Sequence, residues 1–256
     1  MALYGALNEI LAGLGLTDRI VARTEADTRP PAIAGLPVIG THMRPNIERV
    51  LAVAPDLVLQ AAGRGEAEEA AASLARLGLP TAVFAINDFP GLFSAIDRIG
   101  RLTASEDGAA RLVAGLTARL EAVAARAGGQ GERPTVFFEV RSGSLLAAGQ
   151  GSMVDAVIEA AGGKNAVTAD KKIVRLADEE LLRLAPQVCL TQRGPMNPEA
   201  RPMRERPAYA TLPCVQSGRD FLVDEAVFSR PGPGSVDAVE ELAGLLAASP
   251  ATEARP

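Results

Sequence analysis

Hydrophobic and polar positions follow two alternating periods along the chain. "LNEILAGLGL" places apolar residues at helical spacing and runs out at glycines, a helix with its C-cap. "RIVAR" is apolar over a strand's length. "PNIERVLAVA" returns to helical spacing, and "PDLVLQA" is a short continuous apolar run of the kind buried in a parallel sheet. "EAEEAAASLARLG" predicts a helix, "PTAVFAI" a strand and "FPGLFSAIDRIGRLT" another helix. Strands and helices in this order imply α/β layers around a mainly parallel sheet.

A different pattern then intervenes. Between 104 and 130 the chain is rich in Ala, Leu and Arg, with apolar residues at Leu112, Leu116, Leu120 and Val123. One long helix closed by Gly128 and Gly129 fits this stretch, spanning roughly 30 Å or more at 1.5 Å per residue. After the turn-rich "GQGERP" the alternation restarts: "TVFFEV" strand, "GSMVDAVIEAAGG" helix, "DEELLRLA" helix, "PQVCLTQ" strand, "FLVD" strand and "SVDAVEELAGLLAAS" helix. The pattern divides the chain into an N-terminal lobe at 1–103, a connecting helix at 104–130, a C-terminal lobe at 131–250 and a disordered tail at 251–256.

The two lobes share a segment. "ERVLAVAPDLVL" at 48–59 and "EELLRLAPQVCL" at 179–190 have Glu, then Leu three residues on, then Ala-Pro, then a strand. Glu48 precedes Pro55 by seven residues, and Glu179 precedes Pro186 by seven. A repeat in this register implies two lobes of similar architecture. Each Glu alone is an ordinary first-turn acid favoured by the helix dipole. As a matched pair, one per lobe, they suit paired basic sockets on a two-fold symmetric partner.

Composition narrows the function classes. The net charge of −5 argues against a nucleic-acid partner. No apolar run is long enough to span a membrane, and no signal peptide is visible; the chain opens abruptly at "MALYGALNEI", as a mature or a trimmed chain would, so this start does not point to the cytoplasm. Of 26 basic residues only Lys164, Lys171 and Lys172 are lysines, a skew that reads first as an Ala/Arg-rich coding vocabulary and second as anion-binding capacity. Cys189 and Cys214 stand in apolar, strand-like settings without a CxxC pattern, so buried free thiols are expected, with a disulfide open in an oxidising compartment. Enzyme signatures are sparse. "AGQGSM" at 148–153 lacks the third glycine of a dinucleotide fingerprint. A triad would have to run through His42, the single histidine.

Four segments together resemble a known family: "LPVIGTHMRPNIERVLAVAPDLVL", "LLAAGQGSMVDAVIEAAGGKNAV", "LADEELLRLAPQVCL" and "VFSRPGPGSVDAVEELAGLL". They look like the periplasmic substrate-binding proteins of ABC importers, in the helical-backbone subgroup that handles cobalamin, haem and ferric siderophores. The resemblance covers nearly the whole chain in order. It implies two Rossmann-like lobes joined by one long helix, with ligand in the cleft between them. It also implies a periplasmic or otherwise extracytoplasmic home, no catalytic activity, and a membrane permease dimer whose arginines receive Glu48 and Glu179. One departure is visible: the family begins with a full strand before the helix matching "LNEIL", and here only "MAL" remains.

The resemblance also places the ligand at loops following the strands, as is general for open α/β sheets. The residues there are Tyr4, His42, Met43 and Arg44 in the first lobe, and Arg141, Arg193, Met196 and Arg230 in the second. An imidazole can stack, donate a hydrogen bond or coordinate metal, while arginines suit carboxylate, catecholate or phosphate groups. Bare zinc or manganese is excluded as cargo because one His is too few for the usual ligand cluster. No intrinsic cofactor is expected. The expected ligand is a metal chelate: a ferric siderophore, cobalamin or haem. The low aromatic content, 4% with no Trp, counts against flat macrocycles. An oxyanion held by Arg and helix N-termini is the alternative within this fold, and an α/β cleft enzyme the alternative outside it.

Overall fold

A computed structural model describes residues 1–63, 65–127 and 132–248. The expected closing glycines Gly128 and Gly129 and the tail at 251–256 lie outside the described residues. The chain divides into two compact units. One holds residues 1–116 and 231–233, the other 117–230 with 234 onward. The division falls inside a single helix.

The first unit runs α1 (Gly5–Gly13), α2 (Ile47–Ala52), β1 (Val58–Ala61), α3 (Gly65–Arg76), β2 (Thr81–Phe84), α4 (Phe89–Leu102) and the first half of α5 (Glu106–Ala127). Strands β1 and β2 pair in parallel, Val58 opposite Thr81 and Ala61 opposite Phe84. The N-terminal segment lies along β1: Leu3 N–H donates to the Leu59 carbonyl at 2.8 Å, and Leu59 N–H to that of Met1 at 2.9 Å. Met1, Leu3, Ile39, Val50, Val58 and Leu74 close the core beneath this sheet. The strand expected at "RIVAR" does not form. Residues Thr17–Arg19 make a 3-10 turn, and Arg23 makes one bridge to Val38. Its neighbour begins at Pro37, which has no amide hydrogen and can only accept, so the ladder stops after one rung.

The second unit continues through the rest of α5, β3 (Thr135–Arg141), β4 (Leu146–Ala148), α6 (Met153–Ala160), β5 (Lys164–Asn165), β6 (Ile173–Arg175), α7 (Asp178–Leu184), β7 (Val188–Arg193), α8 (Pro213–Gln216), β8 (Asp220–Asp224), α9 (Glu225–Phe228) and α10 (Gly234–Ala247). The sheet order is β6-β4-β3-β7-β8, with β5 beside the start of β3. The β3–β7, β7–β8 and β3–β5 pairs are parallel; β4 and β6 add antiparallel rungs at one edge. This α/β architecture with mainly parallel pairing is the one the alternation predicts. Strand β3 is buried from Val136 to Val140, as a strand covered on both faces must be.

The two cysteines are not free. Cys189 and Cys214 form a disulfide with Cα atoms 5.7 Å apart, inside the usual bridging range. Two backbone contacts set that distance. Cys214 N–H donates to the Pro186 carbonyl and Cys189 N–H to that of Arg219, laying α8 against the start of β7. The bridge lies in the unit's apolar core with Phe137, Leu181, Met203, Tyr209 and Leu212.

Candidate functional site

In the first unit, Tyr4 caps α1 in an extended conformation. Its ring meets the His42 imidazole edge-on, with centroids 5.5 Å apart at 67°. The turn holding His42 is pinned from below. Gln60 on β1 is completely buried and donates through Nε2 to the His42 carbonyl at 3.1 Å, while its Oε1 accepts from Ala61 N–H at 2.8 Å. Gly40 and Pro45 bridge across the base of the turn. Gly40 takes φ +95° there, and a Cβ would sit 2.9 Å from the Arg44 carbonyl, so only glycine closes this loop without strain. His42 and Met43 are half-buried and Arg44 is exposed. The Arg44 guanidinium forks onto Glu66, both contacts 3.2 Å, and that bond holds the Glu66 carboxyl below its ordinary range. Arg44 is therefore already paired with an acid.

In the second unit, Arg141 and Arg193 end the adjacent parallel strands β3 and β7. Glu139 pairs with Thr191, and each arginine lies two residues beyond its member of that pair, with β3 irregular in register between Glu139 and Arg141. Both are exposed. Arg193 also donates to the Ala200 carbonyl at 3.3 Å. Met196 lies in the next loop, tied down where its N–H donates to the buried Glu225 carboxylate at 2.8 Å. Arg230 follows α9 half-buried, its carbonyl accepting from Ser235 Oγ. The structure thus brings Arg141, Arg193 and Met196 to the loops at the carboxyl ends of β3 and β7, and Arg230 to the turn that follows α9.

Beneath these loops is a network that sequence reasoning missed. Glu139 is fully buried within β3. Arg206 clamps its two carboxylate oxygens, and Thr191 Oγ1 donates to the same group at 3.1 Å. Burial opposes the Arg206 charge, but the bonds to Glu139 outweigh it and raise its pKa. Ser142 Oγ donates to Glu139, and Asn197 Nδ2 donates to Ser142 Oγ at 3.1 Å. The carboxylate therefore organises both the loop after β3 and the loop after β7. Arg206 also lies over the Tyr209 ring at 5.4 Å, and Tyr209 donates to Asp178 at 2.7 Å. The signal was available: an acid inside "TVFFEV" cannot be buried without a counter-charge.

The repeat persists in three dimensions. Helices α2 and α7 are each followed within two residues by an alanine in left-handed conformation, Ala54 at φ 42° and Ala185 at φ 44°. Proline follows in both, disfavouring a further helical residue and turning the chain into a strand. Val50 and Leu181 are buried at equivalent positions, as are Pro55 and Pro186, while Glu48 and Glu179 are exposed. The glycine-rich turn at 148–153 has a packing role. A Cβ on Gly149 would lie 2.3 Å from the Lys171 carbonyl, so chain from 169–172 occupies the space a phosphate would need. A cavity of about 870 Å³ in the second unit is lined by Arg133, Glu159, Gln187 and Arg219 at the opposite, amino ends of the strands. Arg133 is there bonded to Glu159 at 2.6 Å. Among the described residues no cluster of His, Cys, Asp and Glu could hold a metal ion, and no helix is long and apolar enough to cross a membrane.

The chain is similar to known proteins in sequence and in fold. A substrate-binding lipoprotein of an ABC transporter from Bacillus subtilis, YvrC, described as uncharacterized, is 27% identical over 95% of this chain and 78% of its own. The vitamin B12-binding protein of Vibrio cholerae is 25% identical over 93% of this chain and 85% of its own. The periplasmic haem-binding protein RhuT from Roseiflexus sp. RS-1, solved in apo form, superposes with a TM-score of 0.82 at 24% identity, covering 96% of both chains. The pattern that defines the periplasmic binding proteins matches residues 1–227, and the chain belongs to that family.

Proposed function

We propose that the chain is the substrate-binding component of an ABC importer, working outside the cytoplasmic membrane and without catalysis of its own. Glu48 and Glu179 dock it onto a permease dimer. One observation carries this reading: the same helix, left-handed alanine, proline and strand recur in both units, and each copy presents an exposed acid. A two-fold permease with a basic socket on each subunit fits such a pair. The family and the transporter-associated relatives support it. Exchanging both acids for Arg abolishes transport and leaves ligand affinity intact; an equal loss of affinity overturns the docking role.

The ligand we propose is a metal chelate, of the haem, cobalamin or ferric siderophore kind. The similar proteins named for vitamin B12 and haem support that class. The Tyr4–His42 pair offers an aromatic edge and an imidazole, and Arg141 and Arg193 offer two exposed cations at strand ends for propionate, phosphate or catecholate groups. Absorbance titration with haemin, cyanocobalamin and a ferric catecholate tests the class. Saturable binding of one, weakened at least about tenfold in His42→Ala, is expected, a loss of about 1.4 kcal/mol. Binding of none of the three, together with saturable binding of a simple oxyanion, overturns the chelate and leaves the oxyanion receptor.

A further inference from the structure

Among the described residues seven large hydrophobic side chains are exposed: Val21, Leu51, Leu77, Val83, Leu102, Ile173 and Leu182. Singly, such residues are ordinary. Two of them, however, are copies of one another. Leu51 is 41% exposed and Leu182 is 37% exposed, and 182 − 51 gives the same 131-residue offset that relates Glu179 to Glu48. At that offset the other five meet Ser152, Ala208, Cys214, Pro233 and His42, none of them a large aliphatic residue.

Each leucine stands three residues after its glutamate on α2 or α7, a spacing that puts the two side chains on one helix face. The residue just before each leucine, Val50 or Leu181, is fully buried in its unit. Each helix thus already spends one apolar side chain on its core and leaves the next one in water.

We infer that each docking element is a two-part patch, an acid and a leucine, and that its partner is a protein with two equivalent sockets, each a basic group beside an apolar hollow. The inference rests on the docking reading above and extends it. The acid supplies orientation and a salt-sensitive encounter, and the leucine supplies salt-insensitive contact area that holds the complex. A purely electrostatic dock has no use for the leucines; a solvated helix face has no reason to repeat them.

The experiment measures affinity for the importer's permease–ATPase complex in nanodiscs, at low and high salt. The variants are Leu51→Ala/Leu182→Ala, Glu48→Gln/Glu179→Gln and Leu77→Ala as a control. The leucine pair is expected to weaken binding about tenfold or more at either salt, from about three- to fivefold per leucine covered by the partner. The glutamine pair is expected to lose only the salt-sensitive part, and Leu77→Ala nothing. Unchanged affinity in the leucine pair with a loss in the glutamine pair overturns this inference and leaves the acid docking intact. Unchanged affinity in both overturns the docking reading itself.

Discussion

Reducing the Cys189–Cys214 bridge perturbs the second unit at its core without altering a surface. The bond closes a loop of 25 residues. The loop entropy it removes from the unfolded chain is about 12 cal/mol/K, or about 3.5 kcal/mol at 25 °C. That loop contains Arg193, Met196, Asn197 and Arg206, so the bridge also anchors the base of the candidate site. The chain has no Trp and two tyrosines. Tyr4 lies in the first unit and Tyr209 packs in the same core cluster as the bridge. In a Tyr4→Phe background, Tyr209 fluorescence therefore reports the second unit alone. Urea unfolding with and without a phosphine reductant should show a midpoint lowered by about 1–2 M, with a steeper slope because the reduced unfolded chain is more expanded. Reduction keeps both sulfurs in place, which separates the cross-link from the cavity that Cys→Ala would leave. An unmoved midpoint, in protein whose alkylation mass shows two liberated thiols, refutes the reasoning.

Two further perturbations test the polar interior. Arg206→Met strands the fully buried Glu139 carboxylate and should cost about 3–5 kcal/mol in urea unfolding, most of it recovered in Glu139→Leu/Arg206→Met; a neutral single variant would show that the pair is not carrying β3. Arg119 joins α5 to α10 through both Glu240 and Asp237, and its hydrogen bond holds the Glu240 carboxyl below the ordinary 4.5. A depressed acid stabilises above its unfolded value, so the difference between wild type and Arg119→Met should be present at neutral pH. The part carried by Glu240, isolated as the difference between wild type and Glu240→Gln, should vanish as pH falls through the folded pKa of Glu240; a Glu240 part that persists in acid contradicts the assignment.

Legibility in the sequence followed the range of the interaction. Helices such as Phe89–Leu102 and Glu106–Ala127 were readable because their apolar spacing is local and long. Strands β4 and β6 were not, since three residues each carry no period and exist only as antiparallel rungs beside β3. Gln60 read as one more residue of a hydrophobic strand; its amide becomes meaningful only when the His42 turn arrives above it.

The sequence by itself determined the alternation of strands and helices, the long helix between them and the repeat around Glu48 and Glu179. Each depends on residues within a few turns of one another, or on a comparison of two stretches. Tertiary structure decided the rest. It joined Cys189 to Cys214, gave Glu139 its arginine 67 residues away, occupied Arg44 with Glu66, and put Arg141 and Arg193 at the carboxyl ends of neighbouring strands. Those outcomes turn on which segments pair across the sheet and how loops close over them. No local spacing encodes that choice, because it depends on the combined packing of segments far apart in the chain.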